Sequence, residues 1–283
     1  MPDALTVALQ QLLPKLALTR LMGRLASMAG GRATLAVIRW FIGRYGVDMT
    51  EAAEPDPAGY PTFNAFFTRA LRDGARPFAP DGLLCPVDGT ISQFGPIERD
   101  QIFQAKGHHY STTALVGGDA ALADHFADGS FATLYLSPRD YHRIHMPCDG
   151  ELVRMIHVPG ALYSVNPATA RGLPGLFARN ERVVCEFRTA DGPFVLVLVG
   201  ATIVGSMATV WHGPVNPPRP GQIRQWTYQA GQVRLARGAE MGRFQLGSTV
   251  VLLFPRGPLR FARPWHSGRA IRMGEPMAHR DRG

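Results

Sequence analysis

Lysine is almost missing from this 283-residue chain. Lys15 and Lys106 are its only lysines, so 28 of the 30 basic residues are arginine. An enzyme that mounts a cofactor aldehyde on its own lysine would have to use Lys106, because Lys15 falls in an N-terminal helical segment. Cysteine is scarce too. Cys85, Cys148 and Cys185 are odd in number and form no CxxC pair, which argues against a disulfide framework and fits a reducing compartment. Long apolar runs are lacking. The stretch from Ala33 to Ile42 already contains Arg39, and no segment approaches the ~20 apolar residues that cross a bilayer. Arginines interrupt the N-terminal apolar stretches and no small-residue cleavage site follows one, so no secretory signal peptide is expected. Internal repeats and low-complexity tracts are absent as well. With 18% charged and 46% hydrophobic residues, global disorder is excluded and a substantial core is expected.

What is present divides the chain. Residues 1–50 carry leucines and methionines at helical spacing: Leu5, Leu9, Leu12, Leu13 and Leu16, then Leu18, Leu21, Met22, Leu25 and Met28. Pro14 and Gly30-Gly31 break the pattern, and a further apolar segment runs from Leu35 to Ile42. The same fifty residues hold Lys15, Arg20, Arg24, Arg32, Arg39 and Arg44 against Asp3 and Asp48. Amphipathic helices with arginines suit a membrane interface, or equally packing on the domain or a second subunit, and the sequence leaves both open. A Pro/Gly-rich stretch, Glu54 to Pro61, follows, then a short helix predicted over Phe63 to Leu71. From Leu84 onward, apolar runs of four to eight residues alternate with turn signals. Phe131–Leu136, Glu151–Val158, Val183–Phe187, Phe194–Val199, Met207–Trp211 and Val250–Phe254 read as strands. The linker Gly213 to Gly221, with four prolines, reads as irregular, and the arginine-rich tail 263–283 reads as loose. The fold class is α+β with a predominantly β core and N-terminal helices. The net charge of +8 admits phospholipid headgroups, nucleic acid or a phosphorylated small molecule as partners.

Four stretches can carry chemistry: Pro86–Thr90 (PVDGT), Leu136–Pro147 (LSPRDYHRIHMP), Gly238–Phe244 (GAEMGRF) and Leu246–Thr249 (LGST). In the last, Gly247-Ser248 sets a hydroxyl beside an unhindered peptide carbonyl. If a base takes the Ser248 proton, the oxygen can attack the Gly247 carbonyl and move the acyl group from nitrogen to oxygen. Elimination then frees the Gly247 carboxylate and leaves dehydroalanine. One water converts this to a pyruvoyl ketone with loss of ammonia. Read alone, LGST is equally a turn leading into a strand. Asp88, His145 and Ser248 supply an acid, a base and a nucleophile, which also fits a serine hydrolase acting on an external ester or peptide. His142, His145 and Cys148 space like a metal trio. No second cluster supplies a fourth ligand and Pro147 disrupts a helical presentation, so no metal is expected.

Together these stretches resemble the bacterial, membrane-associated phosphatidylserine decarboxylase proenzymes. The likeness runs from about Phe63 to Phe254. It also takes in AKGHHY at Ala105–Tyr110, LFARNERV at Leu176–Val183 and VGATIVGS at Val199–Ser206, with no departure at the motif positions. The resemblance implies self-cleavage between Gly247 and Ser248 into a β chain, 1–247, and an α chain, 248–283. Ser248 becomes a covalent pyruvoyl group that condenses with the substrate amine as Schiff-base former, so no lysine is needed. His145 is implied as the base that activates Ser248, with Asp88 orienting it, and His142 as an aid to decarboxylation or reprotonation. Phosphatidylserine is the implied substrate and phosphatidylethanolamine the product. No nucleic acid is implied as a partner. Also implied are a barrel-sandwich-like core over 63–262, a dimer of β/α heterodimers, and peripheral attachment through residues 1–50 to the cytoplasmic side of the cell membrane. Arg139 and Arg143, inside the histidine motif, are candidates for the lipid phosphate. A lipid-binding module without activity, and a pyridoxal-phosphate decarboxylase through Lys106, are the remaining alternatives.

Overall fold

The structure is a computed structural model that describes residues 10, 14–202, 206–217, 219, 221–245 and 248–280. Leu5, Leu9, Leu12, Leu13, Ile203, Val204, Gly205, Leu246 and Gly247 lie outside the described residues. Of Ser248 only the backbone is described.

The N-terminal helices are Lys15–Ser27 and Arg32–Tyr45. The first follows Pro14, and the chain turns extended at Met28. The second ends at Gly46, whose left-handed backbone (φ 68°) lets its N–H reach the Ile42 carbonyl. Ile38 and Phe41 of this helix are buried against Phe66 and Phe67 of the short helix Phe63–Phe67. That helix is capped by the Thr62 hydroxyl, which accepts from the Ala65 N–H at 3.0 Å, and it stops at Thr68 rather than at the expected Leu71. Much of the other face of the helices stays exposed: Leu21, Leu25, Met28, Val37 and Trp40 are each about half open to solvent or more. No helix among the described residues is long and apolar enough to cross a membrane.

The rest is mostly antiparallel sheet. Eight strands of the largest sheet lie in the order Arg224–Thr227, Gly150–Val158, Arg182–Thr189, Gly192–Val199, Ser248–Phe254, Ser130–Leu136, Gly89–Pro96 and Ala270–Ile271, and Arg234–Leu235 joins it as a ninth. Ser248–Phe254 is an interior strand, paired with Gly192–Val199 on one side and Ser130–Leu136 on the other. Both of its faces are buried. Val250, Leu252 and Phe254 enter one core, and Val251 and Leu253 enter the second core on the opposite side. That is why its sequence reads as an unbroken apolar run. The other predicted strands form with ends shifted by a few residues. The strand expected over Met207–Trp211 stops at Thr209, because the chain turns there to pair with Gly213–Pro214.

A four-stranded sheet carries Gly213–Pro214, Ser206–Thr209, Glu240–Gln245 and Arg143–His145. Gln245 ends a strand of this sheet, and Ser248 begins a strand of the large one.

The tail is a correction. Residues 263–280 are not loose. Trp265 stacks on Phe261 with centroids 5.3 Å apart and donates from Nε1 to the Pro276 carbonyl at 3.2 Å. Strand Ala270–Ile271 pairs with Gly89 and Thr90, and strand Pro276–Arg280 is the middle of a three-stranded sheet with Leu83–Leu84 and Leu259–Phe261. Trp265, Ile271, Met273 and Met277 are too widely spaced to show a period, yet each is buried. Trp265→Ala is expected to destabilise the protein by ~3 kcal/mol, the lower end for truncating a buried large aromatic. Denaturant unfolding checks this, and a change below about 0.5 kcal/mol, the size of an ordinary surface substitution, would mean that the tail contributes no packing.

Candidate active site

Asp88 stands at the entry to strand Gly89–Pro96, which passes so close to its neighbour that a Cβ on Gly89 would lie 2.3 Å from the Tyr135 carbonyl oxygen. The His145 N–H donates to the Pro86 carbonyl at 2.8 Å, so the backbone itself joins the PVDG segment to the histidine motif. The third element is held by register. Ser248 pairs with Leu136, the first residue of LSPRDYHRIHMP, so the interior strand starts beside that motif. Gly247, the other half of the expected cleavage site, lies outside the described residues.

The two histidines have different surroundings. His145 faces two fixed partners: the Gly238 carbonyl 2.7 Å from Nδ1 and the Tyr141 hydroxyl 3.0 Å from Nε2. A carbonyl only accepts, so Nδ1 carries the proton and the Nε2 lone pair accepts from Tyr141. Burial lowers the His145 pKa. His142 is fully buried. Its Nδ1 donates to the Asp140 carbonyl at 2.7 Å, its ring lies 4.0 Å from that of Phe67, and its Nε2 has no hydrogen-bond partner among the described residues. Burial pulls its pKa down to about 3, so His142 is neutral with a desolvated lone pair at Nε2.

Asp88, expected to orient His145, makes no hydrogen bond with it. Arg76 occupies both carboxylate oxygens, Nε at 3.1 Å and Nη2 at 2.5 Å, and the Met273 N–H adds a third bond at 2.8 Å. Gly238 and Tyr141, not Asp88, orient the His145 ring. Sequence reasoning missed these partners. Tyr141 was visible as part of the histidine motif, but the Gly238 contact uses a backbone oxygen and Arg76 sits in no recognisable pattern. Of the arginines in the motif, Arg143 is tied to Glu240 at 2.9 Å and to the Thr68 carbonyl at 2.9 Å, while Arg139 is exposed. Burial raises the pKa of Asp140, against which the Ser137 hydroxyl and N–H both donate.

Two cavities adjoin these residues. One, of about 700 Å³, opens between the N-terminal helices and the β core, lined by Met22, Leu25, Trp40, Phe67, Tyr135 and Leu136 among others. The second, of about 350 Å³, is polar and takes in Arg69, Arg76, Asp88, Asp140, Tyr141 and Arg272. Among the described residues no group of three or more His, Cys, Asp and Glu side chains is placed to hold a metal ion.

The family model described as phosphatidylserine decarboxylase matches residues 63–279, and a second, described as PSD, matches residues 5–46. The chain belongs to the phosphatidylserine decarboxylase family. Proteins named phosphatidylserine decarboxylase proenzyme resemble it over nearly their whole length. That of Acidovorax ebreus (strain TPSY) is 69% identical over 280 residues, covering 99% of each chain. That of Azoarcus sp. (strain BH72) is 70% identical over 277 residues, covering 98% of this chain and 96% of its own. That of Dechloromonas aromatica (strain RCB) is 69% identical over 277 residues, covering 98% of each. As a phosphatidylserine decarboxylase, the protein is a carboxy-lyase made as a proenzyme.

The buried imidazole gives this decarboxylase a pH signature. With a native pKa near 3 against 6.5 for a free imidazole, His142 stays neutral in the folded state while the unfolded chain takes up a proton. His142 therefore costs no stability above pH 6.5 and destabilises progressively as pH falls from 6.5 toward 3, by at most about 1.4 kcal/mol per pH unit. The melting temperatures of wild type and His142→Gln, followed from pH 7 to pH 4, should shift relative to one another in favour of the variant. Parallel curves would refute the neutral buried imidazole.

Proposed function

We propose that this proenzyme cuts itself between Gly247 and Ser248 and then decarboxylates phosphatidylserine, delivered from a membrane surface, at the Ser248-derived pyruvoyl group. The observation that carries the reading is the register of Ser248 opposite Leu136, at the head of a motif whose His142 has an Nε2 unpartnered among the described residues. Enzymes of this family are self-processing and pyruvoyl-dependent, and a pyruvoyl ketone supplies the electron sink that amino-acid decarboxylation requires. The site fits such a group: Phe67, which packs on His142, and Leu136, which pairs with Ser248, both line the 700 Å³ cavity.

In this reading each residue acts through a stated atom. Nε2 of His145 takes the Ser248 hydroxyl proton once Tyr141 gives up its hydrogen bond, while the Gly238 carbonyl holds Nδ1–H in place. The resulting positive charge is favoured by nearby Asp88, an influence that needs no direct bond. His142 then uses its Nε2 to guide the proton that replaces the departing carbon dioxide. Apolar walls keep bulk water away from that transfer.

The apolar cavity accepts acyl chains, and its rim leads to the exposed Leu21, Leu25, Met28 and Trp40. Arg20, Arg24, Arg32, Arg39 and Arg44, all exposed, supply positive charge for an anionic surface. This supports peripheral attachment through the helices, on the cytoplasmic face of the cell membrane. Three free cysteines agree with that compartment. By the family likeness, processed β and α chains pair and assemble as a dimer of heterodimers. A serine hydrolase would use the same base and hydroxyl on an external ester but leave the chain whole, which a denaturing gel distinguishes.

Ser248→Ala and His145→Ala should each run as one full-length band on a denaturing gel. His142→Ala should run as two bands yet release carbon dioxide from phosphatidylserine vesicles at least about 100-fold more slowly, the usual loss for a general acid–base group. Two bands from either of the first pair would contradict the assignment. Leu21→Glu with Trp40→Glu should weaken binding to anionic vesicles while leaving cleavage unchanged. Undiminished vesicle binding would rule out the helices as the docking face.

A further inference from the structure

Arg76 lies outside every motif that marked the site, yet it makes both side-chain bonds that Asp88 receives among the described residues. Its side chain is only 5% exposed. One guanidinium bridges two carboxylates: Asp88 through Nε and Nη2, and Glu51 through Nη2 at 2.7 Å. The other oxygen of Glu51 accepts from Arg272 at 2.9 Å, and the neighbouring Met273 N–H returns to Asp88 at 2.8 Å. The loop therefore closes on itself: Asp88, Arg76, Glu51, Arg272, Met273, Asp88. Two of its members, Arg272 and Met273, lie on the α-chain side of the proposed cut, and Glu51, Arg76 and Asp88 lie on the β-chain side.

We propose that Arg76 is a positioning residue for self-cleavage, its planar fork fixing the Asp88 carboxylate against the Arg272–Met273 segment. This rests on the reading above, in which Asp88 supports the proton transfer from Ser248 to His145. A carboxylate helps an imidazolium that it does not touch only if its charge stays in one place, and no described bond from His145 holds it there. Arg76 meets two carboxylates with directed N–H groups, whereas a lysine is a point charge that cannot bridge both in the same plane. Burial works against the Arg76 charge, but its bonds to Asp88 and Glu51 outweigh this and raise its pKa, so the fork is permanently charged.

The test follows cleavage of the full-length chain during cell-free synthesis, on a denaturing gel, with melting temperature as a check on folding. Arg76→Lys should cleave about tenfold more slowly or worse, the loss of one charge-assisted hydrogen bond. Arg76→Ala should be slower still. Added methylguanidinium should restore part of its rate by refilling the fork, and methylammonium, with the same charge and no fork, should not. Asp88→Asn should be blocked and should respond to neither. A parental rate in Arg76→Lys overturns the proposal, as does a folded Arg76→Ala that methylguanidinium leaves unchanged. If Arg76→Ala fails to fold, Arg76→Lys decides alone. A parental rate in Asp88→Asn would instead overturn the role of Asp88, and the proposal with it. A blocked Asp88→Asn beside an unaffected Arg76→Lys would remove Arg76 only.

Discussion

The antiparallel pairing of Ser248–Phe254 with Ser130–Leu136 is the constraint on which the site depends. It matches seven residues of each strand, from Ser248 opposite Leu136 to Phe254 opposite Ser130. A slip of one residue would turn Val250, Leu252 and Phe254 out of their core and move Ser248 off the histidine motif at the same time. Packing and chemistry are thus fixed by one register. The same strand is interior, hydrogen-bonded on both sides. A backbone cut just before Ser248 would leave the new chain held by two ladders, by the strands at 270–271 and 276–280, and by the Arg272–Glu51 ion pair.

Environment separates two histidines that are only three residues apart. His145 is placed by a carbonyl and a tyrosine hydroxyl, so its ring is oriented and its Nε2 is guarded. His142 is packed on Phe67, and its Nε2 meets no hydrogen-bond partner among the described residues. Under the proposed function, His145 would act once per molecule, in cleavage, and His142 once per turnover. The flanking cavities divide in the same sense. The apolar one lies toward the helices and suits lipid tails, and the polar one reaches Asp88 and Tyr141.

Much of the fold was readable because burial on both faces writes itself into sequence as apolar runs: Phe194–Val199 and Val250–Phe254 are strands within a few residues of their predicted ends. The tail was misread because Trp265, Ile271 and Met277 each fill separate places in the core, and isolated anchors leave no period. The site was legible to the extent that its motifs are contiguous. Asp88, His142 and His145 announce themselves in PVDG and YHRIH. Arg76 and Glu51 do not, because a side-chain ion pair between segments 25 residues apart has no local pattern. The expected orientation of His145 by Asp88 failed for a related reason: the sequence shows which groups are present but not which donor reaches a carboxylate first.

Intact mass spectrometry of the purified protein addresses the central claim most directly. The account predicts two polypeptides, the smaller comprising residues 248–283 with a pyruvoyl group in place of the serine amino terminus and therefore resistant to Edman degradation. A single unbroken chain that still decarboxylates phosphatidylserine at full rate would contradict it.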